Sequence, residues 1–244
     1  MEHWEALKLG GYRFVYDDAL FPPGTDSFLL SAYPKLKRRQ SVCDLGCGTG
    51  LLGLLLLQRQ PELQITGIEI EPQAAALAVR AAEENGLQDR LSVLHGDLRR
   101  IRSLLPAGRS DLVICNPPYY PADSGRLAAD RSIRTARTET EATLDEICAA
   151  AAYLLRWDGS FCLVQKPERL ADVLCAMRAH AIEPKRLRFV CTLPQRAPSL
   201  FLLEGRRGGK PSLTVEAPMI LQNADGTPTA EVDRIYFRTQ EDLP

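Results

Sequence analysis

A chain of 244 residues, 45% hydrophobic and 25% charged, has the composition of an ordinary globular protein and the length of one domain, or of one domain with a modest extension. Its formal net charge of −1 excludes a protein that coats nucleic acid non-specifically, while leaving room for a local basic site. No apolar run reaches the length of a membrane span, and the N-terminal stretch holding Glu5, Asp17 and Asp18 lacks the apolar core of a signal peptide.

The seven cysteines are an odd number and fall mostly inside apolar runs, as Cys115, Cys162 and Cys191 do. Cys43 and Cys47 lie four apart, but no second cysteine or histidine pair completes a zinc spacing, and His3, His95 and His180 are isolated. Buried thiols of a cytoplasmic protein, with no metal, are the expectation.

Tyr12, Phe14 and Tyr16 alternate as in a short strand. After Phe21-Pro22-Pro23-Gly24, an amphipathic helix capped by Thr25 or Asp26 would carry Phe28, Leu29, Leu30 and Tyr33, and be closed by Lys35, Lys37, Arg38 and Arg39. A short strand then runs into Asp44-Leu-Gly46-Cys-Gly48-Thr-Gly50 and a strongly apolar helix beginning at Leu51. Glycines allow a sharp turn and a close approach of ligand to backbone ahead of a helix N-terminus. The G-x-G-x-G spacing differs from that of pyrophosphate binders, and Asp44 before the turn would repel a phosphate, so a ligand with cationic character fits better.

The strand Gln64 to Ile70 carries Glu69, 19 residues beyond Gly50, where an acid in a βαβ unit takes ribose hydroxyls. A helix starting at Pro72 stops at Asn85-Gly86, and the strand Arg90 to Leu94 leads to Asp97. Asp44, Glu69 and Asp97 thus fall at the ends of successive strands, which in a parallel sheet share one edge.

Leu112 to Cys115 form another strand, stopped by Asn116-Pro117-Pro118 and followed by Tyr119-Tyr120. Two prolines end any ladder, leaving a rigid extended segment with an amide and two aromatic rings. That suits a planar group bearing an –NH2; a proline turn with packed tyrosines is the simpler alternative. The next stretch has no apolar period and holds Arg126, Arg131, Arg134 and Arg137, a lid over substrate or a plain solvated loop.

Thr143 and Glu146 form a capping box for a helix whose buried face is Leu144, Ile147, Cys148, Ala151, Leu154 and Leu155. A strand from Phe161 to Val164 and a helix from Pro167 follow, then two strands, Leu187 to Leu193 and Leu200 to Leu203. Their connection is too short for a crossover helix and predicts an antiparallel pair. Residues 205–218 are rich in glycine, proline and basic residues, and Asp225-Gly226 marks a late turn.

Asp44-x-Gly46-x-Gly48-x-Gly50, Glu69, Asp97 and Asn116-Pro117-Pro118-Tyr119, in this order, resemble the class I S-adenosylmethionine methyltransferases of the amino-group type. The resemblance covers about residues 25 to 204 and implies an α/β fold, a doubly wound seven-stranded Rossmann-like sheet ending in an antiparallel strand hairpin. A narrower likeness, to bacterial enzymes that methylate N6 of adenine 37 in valine tRNA, rests on Gly24-Thr25-Asp26, Leu29-Leu30, Tyr119-Tyr120, the arginine-rich stretch and Thr143-Leu144-Asp145. It divides the chain into an N-terminal segment, 1–40, packing on the cofactor pocket, a methyltransferase domain, 41–205, and a C-terminal extension, 206–244.

The resemblance implies S-adenosyl-L-methionine as cofactor. Glu69 would bind its ribose and Asp97 its adenine amino group, with Ile70 and Leu98 beside them, and Gly46 to Gly50 would hold the methionine end. Asp44 would face the ammonium or support the turn, and Thr25 and Asp26 would close the pocket. Asn116 and the Pro117 carbonyl would accept hydrogen bonds from the target –NH2. Tyr119 would stack on a flipped base, with Tyr120 and the four arginines contacting RNA, most often tRNA. A cytoplasmic protein, with a monomer favoured, is expected. Methylation of a glutamine amide in a release factor is the rival, but the roughly 40 residues before the glycine turn leave no room for the helical substrate domain of such enzymes. A DNA adenine methyltransferase would need a target-recognition domain that is absent here. The non-enzymatic rival is a cofactor- or RNA-binding module without catalysis, which would tolerate a broken Asn-Pro-Pro-Tyr.

Overall fold

The computed structural model describes residues 1–8, 11–17, 24–117 and 142–239. At its centre lie strands that contain continuous apolar runs buried on both faces, the signature of strands covered by helices on each side. In β6 (Ser110–Cys115), Leu112 and Ile114 face one layer and Val113 and Cys115 the other. β7 (Leu155–Gln165) and β9 (Leu200–Arg207) divide in the same way: Cys162, Val164 and Leu202 against Phe161, Leu163 and Phe201.

The remaining long strands are β3 (Ser41–Leu45), β4 (Gln64–Glu69), β5 (Leu91–His95) and β8 (Ile182–Cys191). Hydrogen bonding orders them β8-β9-β7-β6-β3-β4-β5, all parallel except β9, which runs antiparallel to both β7 and β8. This is the predicted doubly wound sheet with its reversed terminal pair. Two short strands, β10 (Thr214–Val215) and β11 (Met219–Ile220), pair in parallel with β8 and bring the sheet to nine strands.

One face is covered by α1 (Thr25–Ser31), α2 (Leu51–Arg59), α3 (Pro72–Glu84) and α7 (Ala230–Ile235). The other carries α4 (Ile101–Leu104), α5 (Leu144–Leu154) and α6 (Leu170–Ala179). Every residue from Leu51 to Leu57 of α2 is buried, which explains a helix apolar nearly all round. The capping box is made: the Thr143 N–H donates to Glu146 Oε2 at 2.8 Å, and the Glu146 N–H to Thr143 Oγ1 at 3.2 Å. Among the described residues no helix is long and apolar enough to cross a membrane. All seven cysteines are free and six are buried.

Some local expectations are corrected. Gly24, not Thr25 or Asp26, is the N-cap of α1, and it offers no side-chain cap; Asp26 Oδ1 instead accepts the Ser27 N–H at 3.0 Å. That helix ends at Ser31, so Lys35 to Arg39 lie beyond it, and Arg38 pairs with Glu62 at 2.6 Å. β7 starts at Leu155 and β8 at Ile182, both earlier than their apolar runs suggest: Leu155 pairs with Ser110 ahead of a register shift, and β9 holds the polar first residues of β8. Pro167 opens a 3-10 turn, and α6 proper begins at Leu170. A strand not expected from sequence, β1 (Glu2–Ala6), pairs with β2 (Arg13–Asp17) in a separate two-stranded sheet.

The extension is tied to the sheet by Arg186 of β8. Its guanidinium donates to Glu204 Oε2 on β9 at 2.6 Å and to Glu216 Oε1 at 2.7 Å. Glu204 is only 7% exposed, so its charge depends on that partner. Arg186→Met is expected to cost about 3 kcal/mol in urea unfolding, since it strands a nearly buried carboxylate. Arg186→Met combined with Glu204→Gln is expected to recover much of the loss, so that the two changes are strongly non-additive.

Candidate functional site

The C-terminal ends of β6, β3, β4 and β5 are neighbours on one edge of the sheet, and the segments following them carry Asn116, the glycine turn, Glu71 and Asp97. Between β3 and α2, Gly46, Gly48 and Gly50 all take left-handed backbone angles, with φ of 73°, 54° and 82°. Other residues pay for that conformation, which is why glycine stands at each. Carbonyl oxygen of Ile68 accepts the Gly46 and Cys47 N–H groups at 2.9 and 3.1 Å, pinning the turn to β4. A β-carbon at Gly46 or Gly48 would meet nothing within 4 Å: open space lies over this turn, enough for a ligand to approach the backbone.

Glu69, the last residue of β4, is 8% exposed. Its Oε2 accepts the Gly48 N–H and its Oε1 the Glu71 N–H, each at 2.8 Å. Each oxygen retains lone-pair capacity for a further donor such as a hydroxyl. Ile70 follows, half-buried, and its carbonyl lies 3.1 Å from His95 Nε2.

Asp44 is 2% exposed, and its Oδ2 has no hydrogen-bond partner among the described residues. Burial, together with the nearby Glu69 carboxylate, pushes its pKa up to about 8. A carboxylate and a buried acid that tends to keep its proton therefore adjoin an open glycine turn, without a cation among the described residues beside them. The donor set fits a ligand that brings positive charge, as the ammonium and sulfonium of S-adenosylmethionine would. Thiolate ligation by the Cys43 and Cys47 pair is disfavoured, because burial holds the Cys43 thiol at about 12 and Cys47 well above its ordinary value.

Asp97 behaves differently. The Arg99 side chain donates to both of its oxygens, at 2.8 and 2.9 Å, and holds its carboxyl below the usual range. The Arg99 N–H also reaches Asp97 Oδ1 at 2.9 Å, which caps the short turn containing Leu98. On α1, Thr25 is exposed and Asp26 half-buried.

Asn116 stands half-buried at the end of β6, followed by the buried Pro117. Its Nδ2 donates to Ser27 Oγ of α1 at 3.2 Å, which leaves Oδ1 available as an acceptor. Ser27 is the residue that reading the sequence missed; nothing in its neighbourhood marks it, because the contact crosses 89 positions. Pro118, Tyr119, Tyr120, Arg126, Arg131, Arg134 and Arg137 lie outside the described residues.

Comparison with known proteins bears on this geometry. Residues 15–180 match the family described as methyltransferase small domain. The chain is 35% identical over 189 residues to a tRNA1(Val) (adenine(37)-N6)-methyltransferase of Porphyromonas gingivalis, covering 75% of this chain and 73% of that one. It is 30% identical over 222 residues to the enzyme of the same name from Dickeya chrysanthemi, covering 88% and 87% of the two chains. Among solved structures, a predicted O-methyltransferase from Agrobacterium tumefaciens superposes with a TM-score of 0.71 at 21% identity, over 87% of this chain and 95% of that one. Geranyl diphosphate C-methyltransferase from Streptomyces coelicolor, solved with S-adenosyl-L-homocysteine, gives 0.54 at 12% identity over 74% and 79%. At these identities the two structures establish the fold.

The raised Asp44 pKa has a consequence for stability. An acid that keeps its proton in the native state but not in the unfolded chain makes stability fall as pH rises between the two pKa values. Relative to Asp44→Asn, which cannot ionise, the unliganded wild type is expected to lose stability from about pH 4 up to about pH 8 and then hold a constant deficit. Urea unfolding of both proteins across that range checks it; parallel curves would mean Asp44 is not held protonated.

Proposed function

Because the chain belongs to the methyltransferase small domain family, with S-adenosyl-L-methionine as its cofactor, we propose that it methylates the N6 amino group of an adenine in tRNA, adenine 37 of valine tRNA being the first candidate. The observation that carries this reading is the Asn116 amide, held by Ser27 on the same sheet edge as the Glu69 and Asp44 cradle. Relatives covering most of the chain bear that enzyme's name, which favours RNA over a protein amide.

The bound cofactor supplies an electrophilic methyl group on a positively charged sulfur. In this reading Glu69 takes its ribose hydroxyls and Asp97 its adenine amino group, Arg99 yielding one of the carboxylate oxygens, with Ile70 and Leu98 flanking the ring. Asp44 offers a carboxylate to the ammonium, giving up its proton as the cation arrives. Thr25 and Asp26 lie at the mouth of the pocket.

The amine of adenine is a poor nucleophile, because its lone pair is delocalised into the ring. Asn116 Oδ1 and the Pro117 carbonyl accept its two hydrogens and draw them out of the ring plane, which localises the lone pair toward the methyl group. Positive charge then develops on nitrogen, and two acceptors already in place stabilise it without reorganising until the surplus proton leaves to solvent. Pro117 and Pro118 keep these acceptors rigid. Tyr119 stacks on the base turned out of its strand, and Tyr120 with Arg126, Arg131, Arg134 and Arg137 engages the surrounding RNA.

Mass spectrometry of nucleosides from the tRNA of a deletion strain tests the reading: N6-methyladenosine is expected to disappear and to return with the wild-type gene. Asn116→Ala is expected to keep cofactor affinity and lose about 100- to 1,000-fold in turnover, the effect of removing one oriented transition-state partner. Ser27→Ala, which frees the amide to rotate, is expected to lower kcat about tenfold with KM little changed, and Ser27→Thr to restore it. Turnover of Asn116→Ala within threefold of wild type would return the segment to a simple proline turn.

A further inference from the structure

The opposite end of the sheet carries a surface that this reaction does not use. Near the start of β7, Trp157 is 73% exposed, although an indole is among the side chains that gain most from burial. Its setting is built, not loose. The next residue, Asp158, has a φ of 65°, which a non-glycine residue seldom adopts, and Arg206 Nη1 holds its two oxygens at 3.2 Å each. The six-membered ring of Trp157 rests on Gly208, where a β-carbon would come within 2.3 Å of it. Gly208 itself has a φ of 66°.

The neighbours are cationic. The register of β9 sets Arg206 opposite Ser160 on β7 and Glu183 on β8, and Arg207 opposite Ile182. Lys185 reaches across to the Lys210 carbonyl and to Ser212 Oγ. The acids nearby, Asp158 and Glu183, are taken up by Arg206 and Arg178. Among the described residues nothing pairs with the Arg207 guanidinium or the Lys210 ammonium. Arg207, directly before Gly208, and Lys210, two residues after it, thus leave two unpaired cations in the segment on which the exposed indole rests, on a chain whose formal net charge is −1.

We propose that Trp157 with Arg207 and Lys210 forms a second RNA-contact surface, in which the indole stacks on an unpaired base and the two cations meet the flanking phosphates. Every base offers a π-face, so such a platform adds affinity without reading sequence. The inference rests on the tRNA reading above. It is compatible in scale: Trp157 lies before the regularly paired part of β7, and Ser160 to Gln165 alone spans about 17 Å at about 3.3 Å per residue, so platform and methyl-transfer edge stand at opposite ends of that run. A folded RNA spans that, whereas a short peptide loop presenting one amide does not. A protein partner would favour further apolar side chains around the indole, yet its immediate neighbours are charged. The exposed Leu213 and Val215 belong instead to the segment along the β8 edge.

The test uses the full chain and an unmodified valine-tRNA transcript, with affinity measured over a salt series. Trp157→Ala is expected to weaken binding about tenfold, the scale of one lost stacking contact. Arg207→Gln with Lys210→Gln is expected to flatten the slope of log affinity against log salt by about 1.4, at about 0.7 per phosphate of a single strand. Melting temperature, cofactor affinity and kcat at saturating RNA are expected to stay at wild-type values in both variants. A direct signal is also available, since the chain has two tryptophans. In Trp4→Phe the remaining indole, Trp157, is expected to lose emission as transcript is added. Wild-type RNA affinity in Trp157→Ala, or unmoved emission in Trp4→Phe, would overturn the inference. So would a change of oligomeric state in Trp157→Ala, by light scattering, without a change in RNA affinity. A wild-type chain that does not bind the transcript would instead sink the tRNA reading itself.

Discussion

Two backbone N–H groups converge on one carboxylate at the end of β4. Gly48 belongs to the turn that follows β3, and Glu71 is the residue capping α3; Glu69 accepts from both at 2.8 Å. Hydrogen bonds to an ionised acceptor are roughly twice as strong as neutral ones. The left-handed glycines permit the turn, but it is the neighbouring strand that fixes where the turn lies. Gly67, in the same strand, completes this arrangement, because a β-carbon there would meet Cys47 Sγ at 2.6 Å. The cradle is therefore shaped from β4, and the same side chain that would receive a ribose is already part of the scaffold.

The three acids on this edge occupy three different electrostatic states. Glu69 is held by backbone N–H groups and Asp97 by the Arg99 guanidinium, while Asp44, with no partner at Oδ2 among the described residues, is pushed by burial toward its protonated form. A fold tolerates one such unpartnered group only when the packing around it is secure. Here the strands on both sides, β4 and β6, are buried on two faces. Stability invested in the two apolar layers thus permits a locally unfavourable corner, and that corner is where a cationic ligand gains most.

The sheet, its order and its reversed terminal pair were legible because periodicity and punctuation agree: two-sided apolar strands, Thr143 to Glu146 at a helix start, Asn85-Gly86 at a helix end. Carboxylates at strand ends were legible for the same reason, since position along a strand gives position on the edge. What lay hidden depends on contacts between distant parts of the chain. β1 alternates too weakly to be seen alone and exists by pairing with β2, while β10 and β11 owe their extended form to β8. Thr25 and Asp26 look like caps by residue type, yet the chain enters α1 at Gly24, one residue earlier. Neither the Ser27 contact nor the Arg99 clasp on Asp97 has a spacing that would announce it.

α1 also receives the end of the described chain. Tyr236, just after α7, stacks on Phe28 with centroids 4.4 Å apart and planes within 6°. Arg59 Nη2, at the end of α2, donates to the Ile235 carbonyl at 2.7 Å, and its guanidinium lies over the Phe237 ring. Phe28 is adjacent to Ser27, so the helix that steadies Asn116 is itself steadied by residues made after every strand of the sheet. During synthesis the glycine turn and its carboxylates can assemble while α1 still lacks that cover. The order of translation thus makes the cover over α1 the last part of the described fold to be supplied.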